Sequence, residues 1–276
     1  MLQKNSAFHS SIVPIQPKGL KFPLFGIHVL GKGMRFYRPL AKHLGAEHPL
    51  YGLAVQMTVG DIHLNTVEAL AAHYIQQMQM IQPRGPYHLI GVSLGGIIAF
   101  EMAQQLYIQG QEVALLGMLD TFAPSGVVKA LPLRSRLLDV WNYLGQPKSI
   151  DALSEAKSWF LEWTLKHDAL QAGYEGFYSM LNRPLPDSLQ DLLYIKQNQK
   201  ILSKYTPQVY PGEVVVFQAR DQQVSSAFAS DPRLCWNDLA AKGIKIHEIP
   251  GDHLGILQEP HVRVLAEKIK LYLNPT

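Results

Sequence analysis

Short apolar runs alternate with longer amphipathic segments along most of the chain. Short continuous apolar runs are typical of strands buried on both faces, and a period of three to four residues is typical of helices. The strand-like runs lie at 23–29, 50–55, 87–92, 112–120, 212–219 and 244–250, and the helical segments lie at 34–45, 65–82, 94–109, from Asp231 to Gly243, and from Pro260 to about Leu273. This order predicts an α/β fold on a doubly wound, mostly parallel sheet.

Two helix ends have recognisable signals. Asn65 is followed three residues later by Glu68, which predicts a capping box at the start of the helix 65–82. Gly110 comes directly after the segment 94–109 and is predicted to end that helix, since glycine accepts the left-handed conformation common at this position.

The alternation stops between about 121 and 210, where the chain is aromatic-rich and helical in pattern. Because a structureless loop of this length is uncommon in a compact domain, we expect a helical lid over the edge of the sheet where α/β ligand sites lie. Residues 1–20 are polar, contain Pro14 and Pro17, and are predicted to be an extended lead-in or linker. The remainder, 21–276, is predicted to be one domain that carries the lid.

Composition excludes several function classes. The 276 residues are 47% hydrophobic, enough for a sizeable core, and the formal net charge of +3 comes from scattered residues that form no nucleic-acid-binding stripe. The single cysteine, Cys235, excludes an intramolecular disulfide and a cysteine-based metal cluster. No segment has the pattern of a signal peptide or a membrane span. We therefore expect a cytoplasmic protein with no nucleic-acid or membrane partner, no metal and no bound cofactor.

Gly91-Val92-Ser93-Leu94-Gly95 matches the pattern G-x-S-x-G, directly between a predicted strand and a predicted helix. This context is that of a nucleophile elbow, in which small residues leave room for a strained serine. The start of the following helix directs amide N–H groups toward charge that develops on an acyl group. Ser93 is therefore the predicted nucleophile, and the alternative is a structural serine in a tight turn.

A serine hydroxyl needs a base to accept its proton. Among eleven histidines, His253 lies in the loop between the last strand and the last helix, at the same edge as Ser93 and last in chain order. His73, His247 and His261 lie within predicted helices or a strand and are expected to be packing or surface residues.

Two acidic residues follow strands at the correct edge, and strand order alone does not choose between them. Asp120 ends one strand and Asp221 follows the next. Asp252 ranks third, because adjacent side chains rarely point at each other. For the oxyanion hole, the amide of Leu94 is one predicted donor, and the glycine-rich segment 28–33 is expected to supply the other.

Several longer segments resemble the thioesterase domains that end nonribosomal peptide and polyketide synthases, within the α/β-hydrolases. They are YRPLAKHLG, PLYGL, IQPRGPYHLIGVSLGGIIAFEMAQQL, ALLGMLDT and GDHLGILQEPHV, together with the lead-in SSIVPIQPKGLKFPLFGIH. The resemblance implies that Asp120 is the acid of the triad, whereas the plan of stand-alone editing thioesterases would give Asp221. Many family members have His-Pro-Ala-Gly-Gly where this chain has HVLGKG at 28–33. The segment HVLGKG is similar to that of some cyclic-lipopeptide release domains. This similarity implies that the amide of Val29 donates a hydrogen bond in the oxyanion hole.

The resemblance also implies a substrate and a partner. An acyl or peptidyl chain is expected to arrive as a thioester on the phosphopantetheine arm of a carrier protein, and to leave by hydrolysis or macrocyclisation. Lys32 is either a contact for the phosphopantetheine phosphate or a solvated loop lysine. Alternatives are a stand-alone editing thioesterase, an acyltransferase or an ester hydrolase with the same triad. A further alternative is an inactive hydrolase fold that binds acyl chains or a carrier. The polar lead-in favours a terminal domain over an editing enzyme.

Overall fold

A seven-stranded sheet is the main feature of a computed structural model that describes residues 11–28, 34–54, 65–121, 180, 201–221 and 236–274. The strands are β1 (Ile12–Gln16), β2 (Leu24–Ile27), β3 (Leu50–Leu53), β4 (Tyr87–Val92), β5 (Val113–Leu119), β6 (Val214–Ala219) and β7 (Ile244–Ile249). Their spatial order is β1-β3-β2-β4-β5-β6-β7, and every neighbouring pair is parallel except β1 with β3. The predicted mostly parallel sheet is confirmed.

Helices cover both faces of this sheet. They are α1 (Arg38–Leu44), which follows a 3₁₀ turn at Met34–Tyr37, α2 (Val67–Gln79), α3 (Leu94–Ile108) and α4 (Val262–Leu273). Helix α1 packs on α4, and α2 packs on α3. A side chain on Gly26 would contact the ring of Tyr37 next to α1, whereas one on Gly91 would meet the start of α3. Since Gly26 pairs with Ile90, the residue before Gly91, these helices lie on opposite faces.

The central strand β4 is buried along its whole length, which explains its continuous apolar sequence. The edge strands differ, because β1 and β7 are only partly buried. Strand β1 contains Pro14, and proline is tolerated on an edge strand because its missing N–H costs no ladder bond there. Residues 12–16, which lie within the predicted extended lead-in, pair with β3 as part of the sheet.

The start of α2 also differs from the prediction. The cap is Thr66, whose extended backbone precedes the helix and whose hydroxyl accepts a hydrogen bond from the amide of Ala69 at 3.1 Å. Asn65 lies one residue too early, because Val67 already belongs to the helix and is buried. Helix α3, in contrast, ends before Gly110 as predicted, and this glycine has a φ of +70°.

The chain divides into two compact units, one of residues 1–131 with 204–276 and the other of residues 132–203. The first contains the sheet and the four helices above. The predicted lid at about 121–210 lies largely outside the described residues, as does the start of the helix predicted from Asp231. Asn237–Leu239, near the end of that segment, forms a 3₁₀ turn. Among the helices that the structure describes, none has the length and apolar character needed to cross a membrane.

Candidate active site

Ser93 occupies a sharp turn between β4 and α3. Its φ of 54° and ψ of −122° are rarely adopted by residues with a side chain, and they bring the chain from the strand directly into the helix. The main-chain N–H of Ser93 donates to the carbonyl of Leu119 at 3.2 Å, and its carbonyl accepts from the amide of Gly96 at 3.0 Å. The strained backbone is therefore held by the neighbouring strand and by the first turn of α3.

At three positions around the turn, a side chain would clash with a different neighbouring group, so only glycine fits. A Cβ atom on Gly91 would lie 2.5 Å from the nitrogen of Gly96, inside the turn itself. On Gly95 it would lie 2.6 Å from the carbonyl oxygen of His28, at the end of β2. On Gly96 it would lie 2.8 Å from the Cβ of Thr121, just after β5. Glycine thus lets the start of α3 approach both neighbouring strands.

Asp120 follows β5 and has a φ of 46°, so Ser93 and Asp120 are the two non-glycine residues with positive φ in the described part of the chain. Val92 pairs with Leu119, which places Ser93 and Asp120 at the same edge of neighbouring strands. The amide of Asp120 donates to the carbonyl of Phe217 at 2.8 Å, and its Oδ1 accepts from the amide of Ala219 at 3.0 Å. Both bonds fix the carboxylate against β6.

His253 lies in the loop between β7 and α4, and only 3% of its surface is exposed. Its Nδ1 is 2.7 Å from Oδ2 of Asp120. Burial lowers the pKa of His253 below its usual value, although the hydrogen bond and charge of Asp120 act in the opposite direction. A neutral imidazole that donates from Nδ1 to a carboxylate carries its lone pair on Nε2, the form that accepts a proton.

The two other acidic candidates support the loop that carries His253. Asp221 accepts a hydrogen bond from the amide of Gly251 at 2.9 Å, and this bond is the main reason that the pKa of its carboxyl is lowered. Asp252 accepts from the amide of Gly255 at 2.7 Å, at the start of a short 3₁₀ turn. Both carboxylates accept from main-chain N–H groups of this loop, whereas that of Asp120 contacts the imidazole of His253 and the amide of Ala219.

The sequence that forms this sheet edge, with Ser93, Asp120 and His253, also matches the model of a known protein family. Residues 22–272 match the model of the thioesterase domain family. The chain belongs to this family. The resemblance stated from the sequence is therefore confirmed.

Individual relatives of this thioesterase domain are much longer proteins. Chondramide synthase cmdD from Chondromyces crocatus is 29% identical in an alignment of 281 positions that covers 95% of this chain and 7% of that relative. The chain thus spans less than a tenth of the curated relative.

Solved structures agree with the fold. A four-domain nonribosomal peptide synthetase bound to AMP and glycine has a TM-score of 0.71 and 25% identity, covering 97% of this chain and 20% of that one. The NocB thioesterase domain, in covalent complex with a fluorophosphonate nocardicin G analog, has a TM-score of 0.64 and 21% identity, covering 96% of this chain and 100% of that one. The chain has the α/β-hydrolase fold of these thioesterase domains, as predicted.

Of the predicted oxyanion residues of the thioesterase domain, Leu94 is described and is the buried first residue of α3. Val29 and Lys32 lie outside the described residues. Within the described part of the chain, no three metal-ligating side chains form a group that could hold a metal ion.

Two further residues support this edge without a role predicted from the sequence. The hydroxyl of Thr121 donates to the carbonyl of Leu119, and the main-chain carbonyl of Thr121 accepts from the indole N–H of Trp236, so Thr121 stabilises the turn after Asp120. Tyr74 bonds to His28 across 46 positions of sequence. The position of Thr121 directly after Asp120 is a local signal that could have indicated its supporting role. No local sequence pattern links Tyr74 on a helix to the distant His28.

Proposed function

We propose that this chain is a serine thioesterase that releases an acyl or peptidyl chain from a carrier protein in nonribosomal peptide or polyketide synthesis. Ser93 is the nucleophile, His253 the general base and Asp120 the orienting acid. The observation that carries the proposal is the 2.7 Å bond between buried His253 and buried Asp120, at the same sheet edge as strained Ser93. A buried acid–imidazole pair is the support that a catalytic serine requires.

The acylation step follows from these groups. The Oγ of Ser93 attacks the thioester carbonyl carbon while its proton moves to Nε2 of His253, and Asp120 stabilises the imidazolium. The oxyanion of the tetrahedral intermediate accepts hydrogen bonds from the amide of Leu94, at the positive end of α3, and from that of Val29. The carbon–sulfur bond then breaks, and the imidazolium returns the proton to the departing thiolate.

Release repeats the same proton transfers with a second nucleophile. Water, or an amine or hydroxyl within the acyl chain, gives its proton to His253 and attacks the ester on Ser93. The ester bond breaks, the proton returns to the serine oxygen, and the product leaves as an acid or a ring. No metal or cofactor of the protein takes part in either step.

The carrier partner follows from the substrate chemistry and from the relatives. One protein that the chain resembles is a four-domain nonribosomal peptide synthetase, and the chain covers 20% of that protein and 7% of chondramide synthase. We propose that the substrate thioester is formed on the phosphopantetheine arm of a carrier protein, so that the arm is part of the substrate. A carrier-bound acyl chain should therefore react faster than the same chain on free pantetheine.

Active-site labelling tests the nucleophile. Wild-type protein should react with a fluorophosphonate, with the added mass on the peptide that contains Ser93, and Ser93→Ala should abolish this reaction. Ser11→Ala is the matched control, because the Oγ of this buried serine also lies within hydrogen-bond distance of a histidine, 2.7 Å from Nε2 of His73. Ser11→Ala should label as wild type does. Unlabelled wild type, or labelling that survives in Ser93→Ala, contradicts the proposal.

Turnover then separates the reaction classes. Matched thioester and oxoester substrates, with and without an amine acceptor, distinguish a thioesterase from an ester hydrolase and from an acyltransferase. We expect preferential cleavage of the thioester. A labelled protein that turns over no substrate would instead support an inactive acyl- or carrier-binding fold.

A further inference from the structure

The end of strand β2 is held by hydrogen bonds from three different elements. The hydroxyl of Tyr37, next to α1, donates to the carbonyl of Ile27 at 2.8 Å. The amide of His28 donates to the carbonyl of Leu53, at the end of β3, at 3.0 Å. Nδ1 of His28 and the hydroxyl of Tyr74, on α2, are joined by a hydrogen bond of 2.9 Å. The main chain at the end of β2 and the side chain of His28 are therefore held by three separate elements.

The bond between His28 and Tyr74 lies in the interior. Tyr74 is fully buried and His28 is almost fully buried, so water competes little with either group. Burial lowers the pKa of His28 to about 4, so the ring is neutral near pH 7 and the bond is between two uncharged groups. The same rings are also in edge-on contact, with centroids 6.0 Å apart. Together these contacts set the orientation of the His28 side chain from helix α2.

The main chain of His28 directly contacts the nucleophile elbow. A Cβ atom on Gly95 would lie 2.6 Å from the carbonyl oxygen of His28 and 3.1 Å from that of Ile27, so the backbones of β2 and α3 are in contact here. Leu94, whose amide is the proposed oxyanion donor, is adjacent to Gly95. Movement of His28 would therefore disturb the start of α3, which carries the proposed oxyanion donor Leu94.

We propose that Tyr74 and His28 are positioning residues for oxyanion stabilisation: the hydrogen bond from α2 to the His28 ring holds the end of β2 against the elbow. This inference rests on the proposed function, because it concerns the same acylation step. In this proposal, neither the Tyr74 nor the His28 side chain contacts the substrate. Loss of the bond should thus impair stabilisation of the transition state and leave substrate binding nearly unchanged.

The test uses two tyrosine-to-phenylalanine substitutions in the full chain. Tyr74→Phe removes the hydroxyl that contacts His28. Tyr87→Phe is the matched control, because Tyr87 is also fully buried and its hydroxyl donates to the carbonyl of Gln82 at 3.2 Å, at the opposite end of β4 from Ser93. With a short acyl thioester, Tyr74→Phe should lower kcat roughly tenfold with KM within about twofold of wild type, and Tyr87→Phe should leave both nearly unchanged.

A second substitution addresses the other partner. His28→Asn keeps a hydrogen-bonding atom near the position of Nδ1, whereas His28→Leu removes it. The asparagine variant should retain more of the kcat than the leucine variant. The rate at which a fluorophosphonate phosphonylates Ser93, with loss of fluoride, should follow the same order as kcat, whereas the melting temperatures of the variants should not.

The outcomes separate this inference from the proposed function. If wild-type Ser93 is acylated but Tyr74→Phe and Tyr87→Phe have equal kcat values, the positioning role is refuted and the proposed function stands. A rise in KM without a fall in kcat for Tyr74→Phe also refutes it. If wild-type Ser93 is not acylated, the proposed function fails, and this inference fails with it.

Discussion

Asp120 and Asp221 follow the neighbouring parallel strands β5 and β6, but their carboxylates have opposite environments. The carboxylate of Asp120 is buried and hydrogen-bonded to His253, whereas 53% of the Asp221 side chain is exposed. Asp221 holds Gly251 through two hydrogen bonds, one from its own amide to the Gly251 carbonyl and one from the Gly251 amide to its carboxylate. One aspartate therefore contacts the imidazole, and the other holds the loop that leads to it.

Asparagine at the two positions should have unequal effects. Asp120→Asn should lower kcat by about 10³- to 10⁴-fold, because an amide stabilises neither the imidazolium nor the required tautomer. Asp221→Asn should lower kcat by less than about tenfold, since its amide oxygen still accepts from Gly251. Steady-state thioester hydrolysis measures both. If Asp221→Asn lost more kcat than Asp120→Asn, Asp221 rather than Asp120 would be the acid that orients His253.

The pH dependence should reflect the burial of His253. Its pKa is lowered, mainly by desolvation, so the neutral base persists to a lower pH than an ordinary histidine would allow. The acid limb of kcat/KM should therefore have its midpoint below 6.5. In Asp120→Asn the residual activity should have a still lower midpoint, because the bond and charge that raise this pKa are lost. A wild-type midpoint above 6.5 would contradict this prediction.

Alanine at Gly96 should disturb the contact between α3 and the turn after β5. The new methyl group would overlap the side chain of Thr121, which is buried and cannot swing away without losing its bond to Leu119. We expect a loss of about 1–3 kcal/mol in the free energy of unfolding, measured with urea. Thr121→Ala should recover part of this loss in the double variant. Strictly additive effects would show that the two residues do not compete for space.

Stability should fall in mild acid partly because of His88, a buried residue of β4. Burial is the main reason that its pKa is lowered, to about 4 in the folded protein. The unfolded chain binds the proton first, so stability is lost as pH falls from about 6.5 toward 4. At pH 5 this amounts to about 2 kcal/mol. His88→Leu should therefore gain about 2 kcal/mol more at pH 5 than at pH 7.5, measured by urea unfolding at both pH values. Equal gains would contradict the burial of a neutral imidazole.

The sequence predicted the central strands and the elbow well, because each depends on local pattern. Strand β4 is apolar since both faces are covered, and glycines lie two residues before and two residues after Ser93 since a Cβ atom at either position would overlap the main chain. The predicted cap of α2 was wrong by one residue. Asn65 and Thr66 are both favourable cap residues, and the packing of Val67 decides between them. Strand β1 was missed because a short edge strand with a proline lacks a clear apolar pattern.

Contacts between distant segments were less predictable. Asp120 and Asp221 are equivalent in strand order, and only the path of the loop after β7 brings His253 to one of them. The hydrogen bond between Tyr74 and His28 depends on how α2 packs on the sheet, which the spacing of its apolar residues does not specify. The sequence therefore indicated which residue types carry the chemistry more readily than which distant residues hold them in place.

The pairing of β5 with β6 has a consequence for how such a domain can diversify. These strands are neighbours in the sheet although residues 120–213 separate them in sequence. In an unfolded chain, doubling the number of residues between two segments adds only about 0.6 kcal/mol to the cost of bringing them together. Insertions or deletions between β5 and β6 should therefore change the entropic cost of pairing these strands only slightly. The pairing that places Asp120 beside β6 can thus be kept in chains whose connections differ in length.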